Sequence, residues 1–414
     1  MRITRSFATL VVAATFSVLV AACGGGGGSS SSTTSSQSTT NTSASTTVLA
    51  SNAAAVTVDS GISNVPNMPF VSVTVCTPGT SNCTTIDHVL VDTGSWGLRL
   101  FASQLPSSLN LAQEQDTSGH SLAECMQFAD GYTWGSVRIA DVKIASETAS
   151  SLPIQVIDPS YSSIPTDCQN TGAARNTPSA LAANGVLGIG VFKHDCGYNC
   201  TQQAVPATYY GCSGTSCTSI PLAESLQVAN PIPYFTTDNN GSILELPAVS
   251  GNAQATVTGQ LVFGIGTQSN NGLGSAQVIG VNANNGEFTT VQNGRTYSES
   301  IMDSGSTGLF FQTTSLTDCA SPNSAYYCPS STQQMSATIE GVNGTTSAVN
   351  FEVGNAQSLA QTYGSDAAMP LLAGPAYVGT TTFDWGLPFF YGRNVYAAIE
   401  QQSTPGGTGP YVAY

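Results

Sequence analysis

Short runs of alternating apolar and polar residues dominate the chain beyond residue 49, and Phe70-Val71-Ser72-Val73-Thr74-Val75 shows the period of two most clearly. That period turns one face of a strand to a core and the other to water. Pro-Gly, Asn-Gly and Gly-Gly pairs break the runs and supply turns. Cys76-Thr77-Pro78-Gly79-Thr80-Ser81-Asn82-Cys83 reads as a hairpin tip, and residues 86–91 as a second strand running into Asp92. Helical periodicity is confined to short stretches near residues 179–183 and 356–362. The pattern predicts an all-β protein with few short helices.

The pattern also repeats. Val89-Leu90-Val91-Asp92-Thr93-Gly94-Ser95 puts an apolar strand directly before an Asp turn, and 96 positions after Asp92 comes Gly188 in Gly185-Val186-Leu187-Gly188-Ile189-Gly190. Ile301-Met302-Asp303-Ser304-Gly305-Ser306 is followed, 83 positions after Asp303, by Gly386 in Phe383-Asp384-Trp385-Gly386-Leu387-Pro388-Phe389-Phe390. Two halves on one plan imply two similar lobes, residues 49–258 with the first Asp turn and 259–414 with the second.

The first 48 residues follow neither pattern. Arg2 and Arg5 precede an apolar run over residues 7–22 that ends in Val20-Ala21-Ala22-Cys23. This resembles a lipoprotein signal, residues 1–22, too short to be a stable span; cleavage would leave Cys23 as a lipidated first residue and membrane anchor. Residues 23–48 are then a Gly, Ser and Thr tether with nothing to bury, reaching roughly 25 to 30 Å as a flexible chain. Gly24 after the cysteine, with no Asp there to signal inner-membrane retention, points to the outer membrane of a cell envelope.

Composition narrows the function classes. Loss of Arg2 and Arg5 with the leader leaves seven basic residues against 24 acidic ones, and Lys143 and Lys193 are the only lysines. A phosphate-binding surface needs clustered cations, so nucleic acid is not an expected partner. Ten cysteines remain beside Cys23, an even number in a chain that leaves the cytosol, which favours up to five disulfides. Cys76/Cys83, Cys319/Cys328, Cys212/Cys217 and Cys196/Cys200 could staple local loops, leaving Cys125 with Cys168. A zinc site of His194, Cys196 and Cys200 is the rival for one pair and is short of ligands. His88, His120 and His194 have no spacing to a Ser or Cys that would suggest a nucleophilic triad.

An Asp placed after a buried strand and before a small hydroxyl residue and Gly sits on a tight turn, where the missing Cβ lets another chain approach. One such turn is usually a cap. Two, each followed by Ser and each paired with a later apolar-Gly strand, point to one site built from Asp92 and Asp303. Over about residues 67–414 these features resemble the pepsin-like aspartic peptidases, which have two β lobes, a double β-barrel, and a central cleft. Residues 91–98 and 302–309 are similar to that family's two active-site turns, residues 185–190 and 385–390 to the strands beneath them, and Gln260-Leu261-Val262-Phe263-Gly264-Ile265-Gly266 to the segment opening its second half.

The resemblance implies that Asp92 and Asp303 share a proton, activate a water against a peptide carbonyl and need no metal or cofactor. It gives Thr93 and Ser304 the role of bracing the turns across the pair, and Ser95 and Ser306 that of orienting the carboxylates beside Gly94 and Gly305; simple turn capping by the four hydroxyls is the bland alternative. The flap departs from the family. In Phe128-Ala129-Asp130-Gly131-Tyr132-Thr133-Trp134-Gly135 the best register sets Phe128 where a Tyr is expected, with Tyr132 as a substitute in a shifted hairpin and Trp134 as apolar cover. Trp96 is a second departure, filling either a specificity pocket or the core. The expected activity is an aspartic endopeptidase, monomeric, holding a polypeptide between its lobes; a non-catalytic peptide- or glycan-binding lipoprotein on the same fold is the alternative. The lipidated tether before a Cys-bearing β domain also resembles an uncharacterised family of proteobacterial lipoproteins.

Overall fold

The computed structural model describes residues 49–376 and 379–414. The leader, Cys23 and the tether lie outside them. Among the described residues sixteen strands join one continuous sheet and seven a second, with helices of no more than eight residues between them. This is the all-β architecture expected from the alternation. In the strand Pro69–Cys76, Val71, Val73 and Val75 are buried while Ser72 is exposed. The hairpin to Cys83–Asp92 closes with Cys76 opposite Cys83. Helices form at Pro178–Leu181 and Ala356–Tyr363. Thr166–Gln169 and Tyr198–Gln202 are also helical, too short to show a period in sequence.

Each half of the repeat builds the same local frame. In the first sheet Cys83–Asp92 runs parallel to Gly185–Ile189, with Asp92 opposite Gly188, and Gly185–Ile189 pairs antiparallel on its other side with Trp96–Phe101. In the second sheet Arg295–Met302 runs parallel to Thr382–Trp385, with Met302 opposite Trp385, and that strand pairs antiparallel with Leu309–Phe311. Every residue of Gly185–Ile189 and of Thr382–Trp385 is buried, as expected of strands flanked on both edges and covered on both faces.

The lobes differ in what fills them. Beneath Asp92 the packing is aliphatic, with Val89, Val91, Leu98, Leu187 and Ile189. Beneath Asp303 it is aromatic: the Phe311 and Phe383 rings stack at 4.6 Å and Phe383 on Trp385 at 4.3 Å. The first sheet continues through Val257–Phe263 and Gly241–Leu246 to Arg393–Ala398 and Tyr411–Ala413. The end of the chain thus closes on strands that precede the second Asp turn.

All five disulfides pair as the cysteine spacing suggested: Cys76–Cys83, Cys125–Cys168, Cys196–Cys200, Cys212–Cys217 and Cys319–Cys328. The zinc alternative fails, because the Cys196 and Cys200 thiols are spent on each other and His194 Nε2 lies 2.7 Å from the Tyr234 hydroxyl.

Candidate active site

The two Asp turns meet at the floor of a cleft. Thr93 Oγ1 donates to the Met302 carbonyl at 2.9 Å and accepts from the Ser304 N–H at 2.9 Å. Ser304 Oγ returns the pattern, donating to the Val91 carbonyl at 2.7 Å and accepting from the Thr93 N–H at 3.1 Å. Four bonds across the pair satisfy buried backbone groups of both turns at once, so neither turn can shift without leaving them unpaired. A Cβ on Gly94 would lie 2.5 Å from Asp303 Cγ, and one on Gly305 would lie 2.8 Å from Asp92 Oδ1. Glycine is required at both positions because the opposite carboxyl occupies that space.

Each carboxyl is held by its own turn. Asp92 Oδ1 accepts from the Gly94 N–H at 2.8 Å and Oδ2 from the Ser95 hydroxyl at 2.5 Å. Asp303 Oδ1 accepts from the Gly305 N–H at 2.8 Å, and Ser306 Oγ lies 3.1 Å from its Oδ2. The Asp303 and Asp92 carboxyls lie side by side: the Cβ position of Gly305 is 2.8 Å from Asp92 Oδ1 and 3.2 Å from Asp303 Oδ1. Burial, then the nearby carboxyls of Asp384 and Asp92, pushes the Asp303 carboxyl well above its ordinary value.

A cavity of about 300 Å³ opens above the pair. Its lining includes both aspartates, Ser95, Phe128 on one wall and Glu299 and Ile301 on the other. The hairpin of Ser121–Phe128 and Gly131–Ile144 covers it, with Phe128 opposite Gly131 at the tip. Tyr132 and Trp134 pair with Gln127 and Cys125. Cross-strand partners share a face, so both rings turn away from Phe128 and Met126. They are buried with Cys125, Cys168 and Tyr210 behind the hairpin, and neither lines the cavity. The aromatic ring at the flap tip is therefore Phe128, without a hydroxyl. Trp96 packs edge-on against Phe192, ring centroids 5.0 Å apart, beside the main core.

Three structural supports of the site carried no motif. Asp384, on Thr382–Trp385, accepts from Ser306 Oγ at 2.5 Å; its signal was a charged residue inside a run otherwise apolar. Arg99, fully buried, ties the strand after the first turn to the flap through Glu124 at 2.6 Å and to Asp195 at 3.0 Å, while donating to the Trp96 carbonyl at 2.7 Å. Asn67 bonds Thr307 and Met369, distant in sequence. A larger groove, about 450 Å³, lies between Tyr198 and residues 221–226. Its Asp116 carboxylate is engaged by His120 at 2.8 Å, and neither Asp92 nor Asp303 lines it.

Two β sheets, each delivering an Asp-Thr/Ser-Gly turn to a shared, flap-covered cleft, make this a two-lobed all-β protein. The chain belongs to the family described as "Protein of unknown function (DUF3443)", which matches residues 48–414. Among solved structures it is similar to an aspartic proteinase from Irpex lacteus, at 18% identity and a TM-score of 0.48, over 87% of this chain and 96% of that one. No curated protein matches it.

Proposed function

We propose that this chain is an aspartic endopeptidase held in the cell envelope by a lipid on Cys23. The observation that carries the reading is the cross-braced pair of turns, which sets the Asp303 carboxyl, pushed above its ordinary value by burial, beside that of Asp92 beneath a flap. Two carboxyls in this arrangement divide acid and base work between them. Asp92, with a donor on each oxygen, takes a proton from the attacking water, whose oxygen bonds the peptide carbonyl carbon. Asp303 gives its proton to the carbonyl oxygen. As the C–N bond of the gem-diol breaks, the leaving nitrogen takes the proton held on Asp92 and one diol hydroxyl returns its proton to Asp303, which restores the starting pair.

The substrate class is a polypeptide laid between the lobes of a monomer. Purified mature protein should cleave a denatured protein in acid, and a transition-state peptide mimic should block it. Asp92→Asn and Asp303→Asn should each lower the rate by about 10³-fold. Undiminished cleavage by both variants would overturn the mechanism. Labelling with a palmitate analogue, lost in Cys23→Ser, and recovery with outer membranes check the anchor.

The flap favours one second reading. Phe128 covers the cleft without the hydroxyl that a Tyr would bring, and a lid that covers without polar contact suits a protein that holds a peptide or glycan uncut. Stable peptide binding with no product after long incubation would select it.

A further inference from the structure

The two halves of the repeat differ at one buried position beside the dyad. Two residues before Gly188 stands Val186, and two before Gly386 stands Asp384. Val186 is an ordinary core residue, 1% exposed. Asp384 is 8% exposed, its Oδ1 has no hydrogen-bond partner among the described residues, and its Oδ2 lies 2.5 Å from Ser306 Oγ. In the first turn Ser95 serves Asp92 alone, at 2.5 Å. In the second, Ser306 stands between two carboxyls, 2.5 Å from Asp384 and 3.1 Å from Asp303.

A hydroxyl has one proton to donate. If Asp384 is neutral, it donates to Ser306 Oγ and leaves the Ser306 proton for Asp303. If Asp384 is ionised, it takes the Ser306 proton, and Asp303 loses that donor while gaining a negative neighbour. We propose that Asp384 is a positioning residue: neutral, it turns the Ser306 hydroxyl onto Asp303, and its ionisation withdraws that hydroxyl and closes the working range of the dyad. Val186 can do nothing of the kind for Ser95, so the device belongs to the second lobe alone.

The surroundings favour the neutral form. Burial, opposed by the Ser306 hydrogen bond and reinforced by Asp92, pushes the Asp384 carboxyl up to about 8. The titratable groups facing it are Asp303, at the end of the neighbouring strand Arg295–Met302, and Asp92 from the other turn. The strand on its other side, Leu309–Phe311, carries none. Glu299, opposite Thr382 and so two ladder positions away, accepts from the Thr381 hydroxyl at 2.9 Å.

The hydroxyl switch needs no turnover, whereas its effect on rate rests on the peptidase reading, so the test has two arms. In carboxyl ¹³C NMR of the Asp-labelled protein, a resonance absent from Asp384→Asn should titrate above pH 7, and the Asp303 resonance should shift in the same step. Ser306→Ala should shrink that second shift to the part carried by the Asp384 charge alone, and an undiminished shift would overturn the hydroxyl switch. Titration of Asp384 below pH 5, or an indifferent Asp303, would overturn the proposal whether or not the protein cleaves anything.

In the kinetic arm, Asp384→Asn supplies a donor that cannot ionise. It should keep kcat in acid within about twofold and move the alkaline limb of the profile upward, because one inactivating proton loss has been removed. Asp384→Val, the residue of the first lobe, should lower kcat about tenfold with KM unchanged, and Ser306→Ala should do the same. A wild-type profile in both Asp384 variants would sink the positioning role. Absence of cleavage by the wild type would instead sink the peptidase reading and leave the NMR arm to decide.

Discussion

Asn67 shows how much one side chain can hold together here. Its Nδ2 donates to the Thr307 carbonyl at 2.7 Å and the Met369 carbonyl at 2.9 Å, and its Oδ1 accepts from the Met369 N–H at 2.7 Å and the Tyr391 hydroxyl at 2.8 Å. Its backbone is left-handed, with φ of 60°, which Asn tolerates better than Ala. Asn67→Ala strands several buried groups and should cost about 3 kcal/mol or more of unfolding free energy in denaturant titration. Asp384 gives the other residue-level test. Below its ordinary 3.8 both folded and unfolded chains hold the proton; above it the unfolded chain releases first, until the native carboxyl ionises near 8. Stability is therefore lost as pH rises through that window, by about 1.4 kcal/mol per unit from this group. Asp384→Asn should flatten that loss, and parallel pH–stability curves would contradict it. Neither residue was legible as functional in the sequence. Asn67 finds its partners 240 to 324 positions away, and Asp384 sat in a run whose apolar neighbours dominated the pattern.

The flap shows what a strand pattern can and cannot tell. The resemblance set the flap over residues 128–135, and Phe128 falls at the hairpin tip. The face of each aromatic depends on cross-strand register, which a run with so many rings does not fix. The pairing of Tyr132 with Gln127 decides it, and a clamp from residues 168–176 holds it: Cys168 bonds Cys125, and Asn176 accepts from the Trp134 N–H at 2.7 Å. Because the flap is anchored in this register, Phe128→Tyr restores a hydroxyl at the cleft without moving the backbone. Under the proposed peptidase activity it should raise kcat/KM about five- to tenfold, the worth of one hydrogen bond made in the transition state. An unchanged or lower kcat/KM would mean that the ring does not reach the reacting atoms.

At the scale of the whole molecule, the internal repeat carried most of the information. A turn, a parallel strand and an antiparallel return, used twice, were all visible as apolar runs before Asp92 and Asp303 and around Gly188 and Gly386. The return of Arg393–Ala398 and Tyr411–Ala413 to the first sheet was not visible, since pairing between distant strands leaves no local signal. The cross-bonds of Thr93 and Ser304 join the two lobes at one site, where the proposed peptidase mechanism puts a single proton between Asp92 and Asp303. The most direct test compares Asp92→Asn, Asp303→Asn and the double variant on one denatured polypeptide in acid. All three should lose activity to the same extent, because removing either carboxyl already removes the shared-proton pair. Substantial activity in either single variant, or single losses that multiply in the double, would contradict it.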